Sequence, residues 1–205
     1  EASPLFDYFG TACTFAAIAW GEARGGRVLI PAFAVGRTQE LVYDLHQLHR
    51  AGKIPTVPIF IDSPLATDAT SVFAMHPEVF DHSEDLVRHT SDLFDFPLVK
   101  FTRDVNESKA LNNMHGPMVI IAASGMVESG RILHHLHSGA SDARNTILIV
   151  GFMAEHTLGR RILEQRRVIK IFGDEVELAA QGGDLERLSV GNHGHGAVRD
   201  AGRHE

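Results

Sequence analysis

Short, uninterrupted apolar runs constrain this chain more than any other feature. They stand at Val28–Phe33, Val57–Ile61, Met118–Ala123 and Thr146–Val150. None alternates with polar residues, which is typical of strands buried on both faces of a parallel sheet. Segments with apolar residues at helical spacing, such as Gln39–Arg50, separate the runs. We therefore predict an α/β fold, with an open, mainly parallel, Rossmann-like sheet that carries helices on both faces.

Local signals predict where several elements begin and end. Thr38 is the predicted N-cap of the first helix in this pattern. Pro64 suits the first turn of the helix after the second strand, where a missing N–H costs nothing. A hairpin turn is predicted at Gly173-Asp174. Further helices are predicted at residues 108–113, 127–137 and 157–167.

Composition narrows the class of protein. The 205 residues carry 19 Lys and Arg against 26 Asp and Glu, a formal charge of −7. Bulk charge therefore does not favour nucleic acid, although a local basic groove is compatible with it. The single cysteine, Cys13, excludes an intrachain disulfide framework. No apolar run is long enough to cross a bilayer, and Glu1–Pro4 does not resemble a signal peptide, so we expect a soluble, cytoplasmic protein.

Several common catalytic motifs are missing from the sequence. It contains no P-loop, no glycine motif for a dinucleotide after a strand, no nucleophile elbow and no H-x-H-x-D-H run. Two pairs of histidines stand three residues apart, His46 with His49 and His134 with His137. A metal needs three or four converging ligands, so we predict surface or capping roles for these pairs and no metal site in this chain.

Polar residues follow three of the predicted strands. Arg37-Thr38, Asp62-Ser63 and Ser124-Gly125 each lie just beyond a strand end. Open α/β sheets bind ligands at this edge, and helix-start N–H groups with one arginine would form an anion pocket there. Two simpler interpretations stay open, namely that Asp62 only caps a helix and that Arg37 forms a surface salt bridge.

A basic cluster surrounds the last predicted helix. It consists of Arg160-Arg161 and Arg166-Arg167, with Lys170 following. Such a cluster is either a solvated face or a contact surface for phosphate, and the sequence alone leaves both interpretations open.

Five motifs in fixed order carry a resemblance to a known family. They are Val28–Leu41, Phe60–Ala66, Ser108–Asn112, Ala123–Met126 and Gly151–Arg160. Together they resemble the β-CASP domain of metallo-β-lactamase-fold RNA-processing nucleases, such as the endonuclease subunit of cleavage and polyadenylation specificity factor and ribonuclease J. The resemblance covers residues 15–181, whereas residues 1–14 and 182–205 do not match and the latter are predicted to be a flexible tail.

The resemblance implies a β-CASP cap inserted into a metallo-β-lactamase domain, with RNA in the cleft between them and two zinc ions in the catalytic centre. It matches Asp62 to the acid of the first β-CASP motif, which supports the active-site histidine by hydrogen bonding. His156 stands where the family has glycine. It implies RNA or phosphate contacts for Arg37, Thr38, Ser63, Ser124, Gly125 and Arg160.

The family's zinc-binding run does not occur in this sequence. We therefore expect no cofactor of the chain's own, and a truncated or frame-shifted piece of a longer gene. The favoured function is an RNA-recognition domain derived from a zinc-dependent ribonuclease and not nucleolytic by itself. The alternatives are a metal-independent, esterase-like hydrolase that uses Ser124 with a histidine and Asp62, and a self-associating structural module such as a homodimer.

Overall fold

The computed structural model describes residue 14 and residues 16–76 and 93–184, with the backbone alone for 181–184. The described strands are β1 (Arg27–Pro31), β2 (Ile59–Ile61), β3 (Val99–Phe101), β4 (Met118–Ala122), β5 (Thr146–Ile149), β6 (Val168–Ile171), β7 (Asp174–Glu177) and β8 (Gln181–Asp184). The described helices are α1 (16–23), α2 (Arg37–Arg50), α3 (Pro64–Met75), α4 (Val105–Asn113), α5 (Arg131–Gly139) and α6 (Leu158–Leu163).

Six strands form one sheet in the order β3-β2-β4-β1-β5-β8, and every neighbouring pair is parallel. The strands β6 and β7 form a separate antiparallel hairpin. This confirms the predicted α/β fold with a parallel sheet. The strand β8 continues the sheet past residue 181, while residues 1–13 and 185–205, including most of the predicted tail, lie outside the described residues. No helix in the described ranges is long and apolar enough to span a membrane.

Side chains of the sheet alternate between two apolar clusters, one on each face. On one face Val28 and Ile30 of β1 pack with Leu45 of α2. On the other face Leu29 packs with Leu136 of α5. Each cluster also contains residues of further helices, α1 and α3 on the first face and α4 and α6 on the second. Because both faces are covered, the strands are apolar throughout, which is why the sequence shows continuous rather than alternating runs.

The structure moves several of the predicted element boundaries. α5 begins at Arg131 rather than at residue 127, and α6 ends at Leu163 rather than at residue 167. Gly36 is the N-cap of α2, at φ 85°, whereas Thr38 lies inside the helix and its hydroxyl donates to the Phe33 carbonyl. The hairpin turn lies at Phe172 and Gly173, one residue earlier than predicted, with φ values of 55° and 93°. Pro64 is the first residue of α3, as predicted.

The amino edge of the sheet is closed by tight backbone packing. The Asn145 side chain accepts a hydrogen bond from Arg27 N–H at 2.7 Å and donates to the Gly139 carbonyl at 2.9 Å. Gly26 lies directly against this corner, where an added Cβ would overlap the backbone carbonyl of Arg144. Neighbouring Gly25 has φ 66° but faces open space. The two glycines therefore serve different purposes, close packing at Gly26 and backbone conformation at Gly25.

We predict that Gly26→Ala destabilises the protein by about 3 kcal/mol, because the new methyl group displaces backbone rather than a flexible side chain. The matched control Gly25→Ala is expected to cost about 1 kcal/mol, the strain of a left-handed residue. Urea unfolding of both variants measures the difference. Equal losses would contradict the packing argument at Gly26.

Candidate functional site

Asp62 is the centre of a buried polar network beyond the end of β2. Its side chain has no exposed surface. Arg131 of α5 donates to Oδ1 at 2.7 Å. Oδ2 accepts from the Ser108 hydroxyl of α4 at 2.6 Å and lies 2.7 Å from Nε2 of His135 of α5. One carboxylate therefore links the end of β2 to α4 and α5, through partners that lie 46 to 73 residues from Asp62 in sequence.

A second layer of bonds holds the partners of Asp62 in place. The Arg131 guanidinium also donates to the carbonyls of Thr102 and Arg103, at 3.2 and 2.7 Å. Nδ1 of His135 lies 2.8 Å from the Asn112 side-chain oxygen. The network thus joins the ends of β2 and β3 to α4 and α5, two of the three helices of the second face, and satisfied networks of this kind impose one arrangement on their members.

The electrostatics of Asp62 favour a permanent anion. Burial opposes ionisation, but the hydrogen bonds from His135, Ser108 and Arg131 outweigh it and hold the pKa of the carboxyl below its usual range. The carboxylate is surrounded by protein donors and has no free surface, so its contacts here are structural. It does not cap α3 either, because Ser63 does so. The predicted support role towards a catalytic histidine stays a prediction, and the histidine that Asp62 contacts is His135.

The carboxyl edge between β1 and β4 is a topological switch point, here called the β1–β4 crevice. These neighbouring strands are followed by helices on opposite faces, α2 and α5, so their loops diverge. Open sheets bind ligands at such switch points. The Phe33 ring lies against Gly125 across this crevice, since an added Cβ at Gly125 would come within 2.8 Å of the ring. The ring is still 48% exposed.

Ser124 and Gly125 line the β4 side of the crevice, as predicted from strand order. The Ser124 hydroxyl accepts from the backbone N–H groups of Glu128 and Ser129, at 3.1 and 3.3 Å. Gly125 is buried beneath Phe33. The geometry places no histidine in hydrogen-bond contact with Ser124 in the described ranges, so the Ser/His/Asp set of the alternative hypothesis is not assembled there.

Arg37 lies on the β1 side, at the first residue of α2. Its side chain is 44% exposed and pairs with Glu40 on the same helix at 2.7 Å. Thr38 and Ser63, predicted as phosphate contacts, are buried and have other hydrogen bonds. Thr38 donates to the Phe33 carbonyl at 2.7 Å, and Ser63 accepts from Ala66 N–H at 3.2 Å. Of these three residues, Arg37 alone offers an exposed functional group.

Arg160 lies further along the edge, on α6 beyond β5. Its Nε donates to Glu164 at 3.1 Å, so part of its guanidinium is engaged on its own helix. His156, just before α6, has φ 70°. This left-handed conformation suits glycine, which explains why the family has glycine at this position.

The paired histidines contact aromatic rings. His46 is buried and stacks on Phe96 with centroids 5.0 Å apart, which corrects the surface role predicted for it. His49 stacks on the same ring at 5.5 Å. His137 is exposed and pairs with Asp174 at 3.0 Å. Within the described ranges no three His, Cys, Asp or Glu side chains converge to hold a metal.

Sequence reasoning missed Arg131 and His135, the two partners of Asp62 on α5. They stand four residues apart on one face of that helix, and this spacing was the available signal. The acid partner of His135 lies 73 residues away in sequence, so no local pattern connects them.

Large apolar side chains are also exposed along the carboxyl edge, and each lies in a loop or helix start just after a strand. They are Phe33 and Val35 after β1, Leu65 after β2, Val105 after β3 and Phe152 after β5. Such clusters mark surfaces that bind partners. The edge therefore combines apolar contact area with the exposed guanidinium of Arg37.

We predict that Asp62→Asn lowers the free energy of unfolding by about 3–5 kcal/mol, because it leaves Arg131 and His135 without their buried counter-charge. The matched control is Asp174→Asn, which removes an exposed carboxylate that also pairs with a histidine, His137. The control is expected to change stability little. Urea unfolding at neutral pH compares the two, and similar losses would contradict a central role for Asp62.

The lowered pKa of Asp62 also predicts how stability depends on pH. An acid whose folded pKa lies below its unfolded value of about 3.9 stabilises the fold above that pH. This contribution is lost as pH falls through the folded pKa. The stability gap between the wild type and Asp62→Asn should therefore narrow below about pH 4. A gap that stays constant between pH 7 and pH 3 would rule out the ionised carboxylate as its source.

Comparison with known proteins shows the family to which the chain is related. The chain is 39% identical over 161 residues to Ribonuclease TTHA0252 of Thermus thermophilus, covering 77% of this chain and 36% of that protein. It is 36% identical over 171 residues to the transcription termination factor FttA of Methanosarcina mazei, covering 82% of this chain and 25% of that factor. An RNase J-like protein of Methanocaldococcus jannaschii is 29% identical over 175 residues, 83% of this chain and 38% of that protein.

The chain thus spans roughly a quarter to two fifths of the length of these relatives. The sequence profile of the Beta-Casp domain matches residues 38–162, which run from the start of α2 to α6 and include Asp62, Ser124 and Arg160. The chain therefore belongs to the β-CASP domain family of metallo-β-lactamase-fold RNA-processing nucleases, as the resemblance of its motifs implies.

Proposed function

We propose that this chain is the RNA-recognition domain of a metallo-β-lactamase-fold ribonuclease, and that its carboxyl edge forms one wall of the RNA cleft. The observation that carries the proposal is the topological switch point between β1 and β4. Phe33 and Arg37 both lie on its β1 side, and the Ser124-Gly125 loop lies on its β4 side against the Phe33 ring. An arginine and an exposed aromatic ring on one strand-to-helix connection suit single-stranded RNA, which offers phosphates and unstacked bases.

The exposed apolar residues of the same edge support a second contact. Leu65, Val105 and Phe152 lie beyond three different strands and cannot all face one RNA strand of narrow width. We infer that part of this edge packs against the metallo-β-lactamase domain of the whole protein. RNA would then pass between the two domains, along the part of the carboxyl edge that contains Arg37.

The two zinc ions of the family do not fit the described residues, since no three ligand side chains converge there. Asp62 and His135 lie 2.7 Å apart but are buried and bonded to Ser108, Arg131 and Asn112. Under this proposal the chain binds and orients RNA, and the cleavage chemistry belongs to the other domain. A cytoplasmic location is part of the same proposal.

We predict that Arg37→Ala weakens binding of a single-stranded RNA oligonucleotide. It should lower the slope of log affinity against log salt by about 0.7, the value for one lost phosphate contact on a single strand. The companion variant Glu40→Gln is expected to strengthen binding, because it frees the guanidinium that Glu40 now pairs with. Fluorescence anisotropy at several salt concentrations measures both effects.

The matched control is Arg144→Ala, which deletes the same charge at the amino edge, just before β5, where Arg144 pairs with Asp142. It should leave both affinity and salt slope close to the wild type. Undetectable RNA binding by the wild type at low salt, or equal effects of the two arginine variants, would reject the carboxyl edge as the RNA wall.

The hydrolase alternative has its own test. Ester hydrolysis that persists in chelator and disappears in Ser124→Ala would establish it in place of RNA recognition. The hydrogen bonds of the Ser124 hydroxyl to two backbone N–H groups instead favour a role in shaping the loop.

A further inference from the structure

A second concave site lies on α6, apart from the β1–β4 crevice. It is a half-open pocket of about 250 Å³. Three arginines, one histidine and two glutamates line it: Glu155, His156, Arg160, Arg161, Glu164 and Arg166. All lie before, within or just after α6, and none contacts the Asp62 network.

The carboxylate of Glu164 pairs with two of the three arginines. Arg160 donates to Oε1 and Arg166 to Oε2, both at 3.1 Å. The hydrogen bonds from Arg160 and then Arg166 lower the pKa of Glu164, although one carboxylate offsets only one of the two positive charges. Each arginine uses only part of its five N–H donors in this way.

Of the three arginines that line the pocket, Arg161 is the one without a carboxylate partner in the described part of the chain. Its single hydrogen bond there is a long one, 3.5 Å, to the carbonyl of His156. Arg161 is partly exposed and lines the same pocket as two further arginines. Its remaining N–H donors and its positive charge are therefore available to an anion bound between the three arginines.

The backbone of His156 helps to shape this pocket. Its left-handed φ of 70° costs about 1 kcal/mol for a residue with a side chain. The turn brings the His156 ring to the pocket wall, next to the arginines. An imidazole there offers an N–H donor to a bound oxyanion, which the family's glycine could not provide.

We propose that this pocket binds a phosphate group, with Arg161 as the principal ligand and Arg160, Arg166 and His156 as additional donors. Guanidinium groups are suited to this chemistry because their planar forks donate two parallel hydrogen bonds to phosphate oxygens. The phosphate can belong to RNA, in which case the inference rests on the proposed function, or to a small phosphorylated compound. The pocket itself is tested without RNA.

The first experiment titrates inorganic pyrophosphate into the ¹⁵N-labelled chain and follows backbone amide resonances. Saturable shifts are expected at residues 155–166. Arg161→Gln should weaken binding roughly tenfold, the loss of a charge-assisted hydrogen bond, and Arg161→Lys should restore part of it. Glu155→Gln is expected to strengthen binding, because it removes an acidic group from the lining. Arg144→Gln is the control of equal charge and should bind as the wild type does.

The second experiment repeats the comparison with single-stranded RNA across a salt series. A salt slope lower by about 0.7 in Arg161→Gln assigns the phosphate to RNA. Pyrophosphate binding without an RNA effect assigns the pocket to a small phosphorylated compound. Wild type that binds pyrophosphate but no RNA contradicts the proposed function and leaves the pocket standing.

Two results would overturn the phosphate pocket. One is the absence of saturable pyrophosphate shifts at residues 155–166 in the wild type. The other is equal pyrophosphate affinity in Arg161→Gln and Arg144→Gln, which would show a general response to charge. Circular dichroism of each variant verifies the fold, and the exposed positions of these side chains favour intact folding.

Discussion

The buried carboxylate of Asp62 is the interaction on which the rest of the site depends. An isolated charge in a protein interior is strongly unfavourable, and this one is stable because Arg131, His135 and Ser108 surround it. Those donors come from α4 and α5, whose other contacts with the sheet are mainly apolar, and apolar contacts do not specify direction. The network therefore sets the rotation and height of α4 and α5, and with them the loop that holds Ser124.

The two edges of the sheet differ in the way expected of a binding fold. At the amino edge, the hydrogen bonds of the Asn145 side chain and the close contact of Gly26 with the Arg144 backbone hold the chain in place. At the carboxyl edge, loops after β1, β4 and β5 carry the exposed Phe33, the Ser124-Gly125 turn and the basic pocket of α6. Rigid scaffolding on one side allows the other to display functional groups at defined positions.

The parallel sheet and its four central strands could be predicted from the sequence, because each of those strands is a continuous apolar run. The edge strands β3 and β8 could not, since β3 is short and β8 consists of Gln, Gly and Asp residues without an apolar run. The partners of Asp62 were equally hidden, since Arg131 and His135 are joined to it only by tertiary packing. The sequence left open whether Arg37 forms a salt bridge, and the structure shows it paired with Glu40 on the same helix.

The alternation of sheet residues between two apolar clusters also ties the site to strand register. Pro31 pairs with Ala122, and these two residues are the last before the loops of the crevice. Because successive side chains point to opposite faces, a slip of one residue would turn every apolar group of β1 to the wrong cluster. It would also shift the Arg37 loop by about 3.3 Å relative to the Ser124 loop. Core packing thus fixes the spacing between the loops on the two sides of the crevice. The hydrophobic residues that set this spacing lie inside the core, away from any ligand.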